Sequence, residues 1–256
     1  MSFDATRTGS GTKEWAEKTV NICQGCRNNC RYCYAAAMAS RFKQRERGEW
    51  EREELTARAN MASYPVCDGV VMFPSSHDVT PGNVEAYVRV AKLILAKGTR
   101  LLIVSKPRIV CIDELISELR PWKEQIQFRF TIGSCDEATC KFWEPGAPSP
   151  DERLVCLKTA HTAGFSTSVS IEPMLNGVED ARSVVEAVRS FVTETVWIGK
   201  MNQARSRVAL TDGGGAAIDD IVRLQSDNEI LRLVHWYRDD PMIRWKDSIK
   251  SIIEKG

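Results

Sequence analysis

The sequence predicts an α/β fold in which parallel strands alternate with helices, as an open sheet or as a full or partial barrel. Two observations support this prediction. Six short apolar segments alternate with longer helical segments along the chain. The apolar segments are nearly continuous, as expected of strands that helices cover on both faces. A length of 256 residues allows one large core or two small ones, and the regular alternation favours a single domain.

The six predicted strands are short runs rich in β-branched and other apolar residues, bounded by turn residues. They cover residues 18–22, 69–73, 100–105, 125–133, 166–171 and 195–199. Ligands bind beyond the carboxyl ends of the strands in both candidate architectures. The residues that directly follow each strand are therefore the first candidates for a functional site.

The predicted helices are marked by capping residues and by helix-favouring composition. Thr80 and Pro81 are typical of an N-cap and a first helical position. Ser149, Pro150 and Glu152 belong to a capping box that opens another helix. The predicted helices cover residues 34–60, 81–97, 111–120, 150–163, 178–191 and 216–237, the last after a glycine-rich loop at 213–215, and a short helix follows at the C-terminus.

The composition limits the classes of protein to consider. Lys and Arg total 35 against 34 Asp and Glu, and this net charge of +1 argues against a strongly basic surface for nonspecific nucleic-acid binding. No apolar run approaches the ~20 residues that cross a bilayer, and the N-terminus lacks a signal-peptide pattern. We expect residues 1–16 to form a loose polar leader and residues 17–256 the main domain of a cytoplasmic protein. Nine cysteines in such a chain point to metal binding or catalysis rather than to disulfides.

Four of these cysteines lie within the eleven residues CQGCRNNCRYC, and their spacing allows three interpretations. A structural zinc site uses four cysteines, but its two pairs are usually separated by a longer spacer. A ferredoxin-type run has its spacings in a different order and a following proline. The third interpretation omits Cys23 and retains Cys26, Cys30 and Cys33, with the aromatic Tyr32 before the last cysteine.

That triplet, Cys26-x3-Cys30-x2-Cys33 with Tyr32, resembles the signature of the radical S-adenosylmethionine (radical SAM) superfamily, and the resemblance covers roughly residues 17–240. It implies a partial (β/α)6 TIM-like barrel with the motif after the first strand. It also implies a [4Fe–4S] cluster held by three thiolates, whose open iron binds S-adenosylmethionine (SAM), and hydrogen abstraction by a 5′-deoxyadenosyl radical. A fourth ligand would close that iron, so Cys23 is expected to be a packed strand-end residue or a spare thiol.

The resemblance suggests roles for the polar residues after the second strand. Many radical SAM enzymes have a Gly-Gly-Glu type of segment here that receives the SAM amino group, whereas this chain has Ser75, Ser76, His77 and Asp78. The spore photoproduct lyase group also lacks the glycine pair. Ser75, Ser76 and Asp78 are therefore candidate SAM contacts. His77 is a candidate catalytic residue or a loop histidine without chemistry.

The ends of the later strands supply the remaining candidates. By resemblance to the photoproduct lyase group, Lys106 is expected to meet the SAM carboxylate, and Cys135 is a candidate to return a hydrogen atom to a product radical. Cys67, Cys111 and Cys156 are expected in the core. Further candidate contacts to SAM are Tyr32, Thr131, Ser134, Glu172, Lys200, Met201 and Asn202.

The functional hypothesis is a radical SAM enzyme, and the alternative from another class is a non-catalytic iron–sulfur or zinc module. Similarity to the photoproduct lyase group favours a nucleobase, nucleoside or nucleic-acid substrate that undergoes bond cleavage or rearrangement; a small metabolite or a peptide is the alternative substrate. Arg41, Lys43, Arg45 and Arg47 are candidate phosphate contacts or part of a solvated, ion-paired helix. The family implies a reductant such as flavodoxin or ferredoxin. The oligomeric state is not predicted.

Overall fold

The computed structural model of the chain describes residues 3, 9–208 and 214–255, and its centre is a curled parallel sheet that forms a half-barrel. In sheet order, the seven strands are β1 (Lys18–Thr19), β4 (Val70–Met72), β5 (Arg100–Ser105), β6 (Ile126–Thr131), β7 (Ser166–Ile171), β8 (Val196–Ile198) and β9 (Ile243–Trp245). A separate antiparallel pair consists of β2 (Cys23–Gln24) and β3 (Glu54–Leu55). The predicted partial barrel is confirmed, and β9 extends it by one strand that the sequence did not indicate.

Helices connect the strands and cover the outer face of the sheet. They are α1 (Tyr34–Arg41), α2 (Val84–Leu95), α3 (Ile109–Leu119), α4 (Glu137–Trp143), α5 (Pro150–Thr162), α6 (Val178–Val188), α7 (Ala204–Arg207), α8 (Gly214–Leu224), α9 (Asp227–Trp236) and α10 (Asp247–Ile253). Alternate side chains of the strands, such as Ile103, Phe128 and Phe130, pack with buried residues of these helices in the main core. Cys67, Cys111 and Cys156 are buried in that core, as predicted.

The inner face of the sheet has a different composition. On one side, Met72, Leu102 and Trp197 belong to a small apolar cluster. On β6 and β7 the chain alternates between core residues and polar residues, and buried Arg129 of β6 donates a hydrogen bond to Ser168 of β7 at 3.0 Å. The expectation of nearly continuous apolar strands is therefore wrong for β6 and β7. Helices cover only their outer face, so the inner face is free to carry polar groups.

The helix predicted over residues 34–60 ends after eight residues. Lys43 adopts a left-handed conformation (φ 54°), and the N–H groups of Lys43 and Gln44 donate to the carbonyls of Ser40 and Ala39 at 3.0 and 2.9 Å. This is a Schellman C-cap with lysine in the position that glycine usually takes. The chain then forms short 3-10 turns and β3, which pairs with the strand at Cys23.

Other helix boundaries also differ from the predictions. Helix α2 begins at Val84 with Asn83 as its N-cap, because Thr80 and Asn83 first close a turn on each other. At α5 the capping prediction is confirmed, since the Ser149 side chain accepts the N–H of Glu152 at 3.2 Å. The long helix predicted over residues 216–237 is two helices, α8 and α9, and Gly213 of the predicted glycine-rich loop lies outside the described residues.

The described part of the predicted leader is packed against the barrel rather than loose. Residues 11–14 form a 3-10 turn that places Glu14 in the interior, where its carboxylate lies 2.5 Å from Lys246 and 2.7 Å from Lys250. Trp15 packs edge-on against Trp197 of β8, with ring centroids 5.9 Å apart. Residues from both ends of the chain thus meet beside the half-barrel. In the described residues, no helix combines the length and the apolarity that a membrane span requires.

Candidate active site

A cavity of about 700 Å³ lies against the cysteine loop and the carboxyl ends of the strands. It brings together most of the residues that the sequence singled out. The predicted residues that line it are Cys26, Cys30, Tyr32, Cys33, Ser75, Ser76, His77, Asp78, Lys106, Thr131, Glu172, Lys200, Met201 and Asn202. Ser134 and Cys135 are not among the residues that line it.

The loop that carries the cysteines is held by backbone contacts. The N–H of Cys26 donates to Trp50, and the guanidinium of Arg47 donates to the carbonyl of Cys30 at 2.9 Å. Cys33 is the N-cap of α1, and its sulfur accepts the N–H of Ala36 at 3.5 Å. A helix N-terminus favours a thiolate over a thiol at this position.

Burial opposes ionisation of these thiols. It raises the pKa of Cys30 to about 12, and the nearby ammonium of Lys106 counteracts the rise. Burial and the carboxylate of Asp78 both raise the pKa of Cys26, whose thiol donates to that carboxylate at 3.6 Å. Thiolates at these positions therefore need positive charge in the cavity, which iron supplies when it is bound.

The geometry separates Cys23 from the other three cysteines. Cys23 is buried in β2, does not line the cavity, and directs its thiol to the Gln24 carbonyl at 3.6 Å. Among residues 3, 9–208 and 214–255, no group of three or more Cys, His, Asp or Glu side chains is arranged to hold a single metal ion. The arrangement does not match a four-cysteine zinc site. Three thiols that ligate different irons of a cluster need not converge on one point, so the triplet fits a cluster better.

A chain of four alternating charges lies behind the cysteine loop. The Lys106 ammonium is 3.8 Å from Asp78 and 3.7 Å from Glu144, and Glu144 is 2.5 Å from Arg153. The Tyr32 hydroxyl also donates to Glu144. Burial by itself lowers the pKa of Lys106, but Cys30, Tyr32, Asp78 and Glu144 raise it well above its usual value. Lys106 is therefore a permanent cation beside the thiols.

Asp78 is an organising residue of the cavity. One carboxylate oxygen accepts the backbone N–H of Lys106 at 2.7 Å and the Ser105 hydroxyl at 3.1 Å. The other accepts the side-chain amide of Asn28 at 2.8 Å. Burial would raise the pKa of Asp78, but the Lys106 ammonium and these hydrogen bonds lower it below its usual value. Asp78 is therefore ionised and saturated with donors from the protein.

His77 is buried at the edge of the cavity, with both ring nitrogens engaged by the backbone. Its Nε2 accepts the N–H of Ile22 at 3.3 Å, and its Nδ1 lies 3.1 Å from the carbonyl of Asp78. This pairing assigns the neutral tautomer that carries its proton on Nδ1. Burial lowers the pKa of His77, which agrees with a neutral ring. The geometry argues for a residue that ties the cysteine loop to the Asp78 segment, and against the catalytic role that the sequence suggested.

Sequence reasoning missed Asn21, which shapes the segment after β4. Its side-chain oxygen accepts the N–H groups of Ser75 and Ser76 at 2.7 and 2.9 Å, and its amide donates to the Ser75 hydroxyl at 2.9 Å. The Tyr34 hydroxyl donates to the Ser75 carbonyl at 2.6 Å. Asn21 lies inside the strand predicted over residues 18–22, so the rule of reading the residues after each strand passed over it.

The far wall of the cavity comes from β6, β7 and the chain after β8. Thr131 and Ser170 are buried there, and the Ser170 hydroxyl has no hydrogen-bond partner in the described part of the chain. Burial raises the pKa of Glu172 although the Lys246 ammonium, 3.5 Å away, opposes the rise. The orphaned hydroxyl of Ser170 and the half-paired carboxylate of Glu172 leave polar groups available for a ligand.

The segment after β8 is fixed by a buried amide. The side chain of Gln225 accepts the N–H of Met201 at 2.9 Å and donates to the carbonyls of Met174 and Asn176. This position keeps the Met201 side chain on the cavity wall, in an apolar cluster against which Tyr32 packs.

Cys135 and Ser134 lie outside the residues that line the cavity. Cys135 is exposed, its N–H donates to Asp180 of α6, and it lines a small separate pocket of about 40 Å³. Ser134 is buried and its hydroxyl accepts the N–H of Asp136 at 2.9 Å. Strand β6 ends at Thr131, so the chain has already left the rim when it reaches these residues. This position argues against a Cys135 thiol that faces a substrate radical.

The four basic residues predicted near α1 divide into two pairs. Arg45 forms an ion pair with Glu54 at 2.5 Å, and Arg47 binds the cysteine loop, so both have structural contacts. Arg41 and Lys43 are exposed and show no side-chain hydrogen bond or ion pair within the described residues.

Comparison with known proteins identifies relatives of the chain. A family model described as the radical SAM superfamily matches residues 20–190. An uncharacterized protein of Acidianus two-tailed virus is 26% identical over 72% of this chain and 64% of its own length, so the chain spans slightly less than two thirds of that relative. An uncharacterized protein of Methanocaldococcus jannaschii is 24% identical over 69% of this chain and 67% of its own length.

Solved structures share the fold at low sequence identity. A variant of spore photoproduct lyase has a TM-score of 0.59 at 16% identity, covering 94% of this chain and 78% of its own. The same enzyme complexed with dinucleoside spore photoproduct has a TM-score of 0.58 at 15% identity, with the same coverage. Streptococcus suis SuiB bound to S-adenosylmethionine has a TM-score of 0.54 at 7% identity, covering 89% of this chain and 49% of its own. These likenesses show the fold alone.

Proposed function

The chain belongs to the radical SAM superfamily, and we propose that it abstracts a hydrogen atom from a nucleobase, nucleoside or nucleic-acid-derived substrate, in a cleavage or rearrangement reaction. Membership of the superfamily implies an enzyme, and enzymes of this superfamily need a reductant. A flavodoxin or a ferredoxin is the proposed donor. The observation that carries the proposal is one cavity lined by Cys26, Cys30 and Cys33 and by polar residues that follow the strands.

The proposed metal ligands are Cys26, Cys30 and Cys33. A [4Fe–4S] cluster held there would supply the electron for reductive cleavage of SAM. The chain's own contribution is positive charge and shielding: the Lys106 ammonium and the N-terminus of α1 lie beside the buried thiols. Cys23 is kept away in β2, which leaves three ligands rather than four.

SAM would lie between the cysteine loop and the far wall. Asn21 occupies the N–H groups of Ser75 and Ser76, so the free acceptors of this segment, such as the Ser76 hydroxyl, suit an ammonium group. Lys106 makes ion pairs at 3.7 and 3.8 Å that are too long for hydrogen bonds, so its donors suit the SAM carboxylate.

The rest of SAM would meet the far wall. Thr131, Ser170 and Glu172 offer hydroxyl and carboxylate groups for a ribose. Met201 offers an apolar surface for adenine, and Lys200 and Asn202 lie beside it at the rim. Asp78 would position Lys106 and Asn28 rather than contact SAM, because its oxygens are already occupied.

The proposal of a nucleic-acid-derived substrate rests on the size and lining residues of the cavity and on the structural similarity to spore photoproduct lyase. About 700 Å³ lies within the usual size of a ligand pocket, ~300–1,000 Å³. Lys13 and Arg207 line the cavity and have no ion-pair partner within the described ranges, so they suit phosphate groups. The likeness to spore photoproduct lyase, whose solved complex contains a dinucleoside photoproduct, points in the same direction.

The first experiment is anaerobic reconstitution followed by SAM cleavage. We expect ~4 irons per chain and formation of 5′-deoxyadenosine with dithionite and SAM, measured by mass spectrometry. Cys30→Ala should abolish product, whereas Cys23→Ala, the matched control, should retain both iron and product. Nucleosides, dinucleotides and short peptides added in parallel should show which class accelerates the reaction.

Three results would contradict the proposal. Zinc in place of iron, or a cluster that never cleaves SAM, would favour the non-catalytic module. Acceleration by peptides or small metabolites alone would retain the radical chemistry and replace the substrate class.

A further inference from the structure

Helix α1 exposes an apolar stripe that begins at the mouth of the cavity. Tyr34, Met38 and Phe42 are 42%, 44% and 59% exposed, and their spacing of four residues places them on one face of the helix. Soluble proteins seldom leave such side chains in a row without a partner. Tyr34 also lines the cavity, so the stripe is continuous with the proposed active site.

The segment of sequence that contains the stripe is basic. From Lys18 to Arg45 the chain has six Lys and Arg residues and no Asp or Glu, although the whole protein is nearly neutral. Arg41 and Lys43 lie next to Phe42 in sequence, are exposed and show no partner within residues 3, 9–208 and 214–255. Arg207 lines the cavity together with Tyr34.

Five acidic residues follow between positions 46 and 54, and the last two of them are engaged by other residues. Glu54 is paired with Arg45 and Arg52, and Glu53 accepts the Thr80 hydroxyl at 2.6 Å. Glu46, Glu49 and Glu51 are exposed beyond the end of the helix and oppose the charge of Arg41 and Lys43.

We propose that the surface formed by Tyr34, Met38, Phe42, Arg41, Lys43 and Arg207, here called the α1 surface, binds a single-stranded segment of nucleic acid as it leaves the cavity. Aromatic faces interleaved with cations are the features that bind unpaired strands, by base stacking and phosphate contact. Eight residues of helix span about 12 Å, which is the length of about three stacked nucleotides. This inference rests on the proposed function and deepens it, because it makes the substrate a polymer rather than a free nucleoside.

The test is binding of a fluorescein-labelled 12-nucleotide oligothymidylate to the reconstituted protein, followed by anisotropy at several salt concentrations. Met38→Ser combined with Phe42→Ala should weaken binding about 5- to 100-fold. Arg41→Gln combined with Lys43→Gln should weaken binding and reduce the slope of log affinity against log salt by about 1.4. Val110→Ala with Val155→Ala and Lys92→Gln with Lys158→Gln are matched controls on the outer helices and should bind like the unaltered protein.

Distinct outcomes separate this inference from the proposed function. If the α1 variants bind the oligonucleotide as the unaltered protein does, or if the controls weaken binding equally, the α1 surface is not a strand-binding site. If nucleosides still accelerate 5′-deoxyadenosine formation in that case, the proposed function stands without it. If the α1 variants instead lose only reduction by an acidic flavodoxin, while dithionite still reduces the cluster, the surface binds the electron donor and the inference is overturned.

Discussion

Two lysines line the cavity, and they are held in different ways. Lys106 follows β5, and its partners Asp78 and Glu144 follow β4 and α4. Lys246 follows β9 and binds the carbonyl of Gly11, the carboxylate of Glu14 and the carboxylate of Glu172. The first cation belongs to the ends of the central strands, whereas the second joins the two ends of the chain. The contacts of Lys106 at the strand ends form one wall of the cavity, here called the wall built with the barrel. The contacts of Lys246 with Gly11, Glu14 and Glu172 form the other, here called the wall added by closure.

The largest expected effect comes from Lys106→Met. The substitution leaves Asp78 and Glu144 buried with less compensation, and removing one partner of a buried ion pair costs about 3–5 kcal/mol. Denaturant unfolding of the metal-free protein measures the loss. Lys92→Met is the matched control, because Lys92 pairs with Glu118 at the surface and should cost less than about 1 kcal/mol. Equal losses in the two variants would show that the four alternating charges around Lys106 stabilise the fold no more than a surface ion pair does.

Lys246→Met should have a smaller effect of a different kind. Glu14 keeps Lys250 as a partner at 2.7 Å, and the side chain of Glu172 is 22% exposed, so we expect a loss of about 1–3 kcal/mol. Hydrogen exchange should also rise in residues 11–16, which dock through Lys246. A variant with unchanged protection there would show that the remaining contacts, such as Trp15 with Trp197 and Glu14 with Lys250, hold the segment without Lys246.

The contributions of Asp78 and Glu172 to the free energy of unfolding should change in opposite directions with pH, and this distinguishes the two walls. The pKa of Asp78 is below its usual value, so its contribution to stability is present at neutral pH and is lost as the pH falls through the lowered pKa. The pKa of Glu172 is raised, so its contribution is present at low pH and is lost as the pH rises through the raised pKa.

Unfolding free energies measured against pH test this contrast. The advantage of the unaltered protein over Asp78→Asn should shrink on acidification, and its advantage over Glu172→Gln should grow. The same direction in both variants would contradict the contrast between the two walls.

The smallest expected effect comes from Cys135→Ser. The residue is exposed and lies outside the cavity, so 5′-deoxyadenosine formation and substrate turnover should stay within about twofold of the unaltered protein. Accumulation of products trapped from a substrate radical would show instead that this thiol returns the hydrogen atom.

The sequence predicted the wall built with the barrel much better than the wall added by closure. The cysteine triplet, Asp78 and Lys106 are found because parallel strands put their carboxyl ends at one rim. Glu14 and Lys246 are 232 positions apart, and nothing in the local pattern of either residue indicates the other. The same limit applies to Asn21, whose role depends on the return of the chain at Ser75.

Sequence rules for the ends of helices and strands failed where another local conformation was favoured. The composition of residues 34–60 favours helix, but the left-handed Lys43 closes a C-cap after the first eight residues. Thr80 and Pro81 have the residue types of a helix start, yet Asn83 is the N-cap. For Cys135, the prediction assumed that the rim continues past Thr131, and the chain turns outward there instead.

The bond from Lys246 to the carbonyl of Gly11 bears on the order in which the protein is made. It joins positions 235 residues apart, so it forms only after Lys246 has left the ribosome. During synthesis the cysteine loop and the first strands are exposed early, while their second wall does not yet exist. A nascent chain that ends before Lys246 therefore presents the thiols without this wall of the cavity, and we expect it to retain small cofactors only after Lys246 has docked.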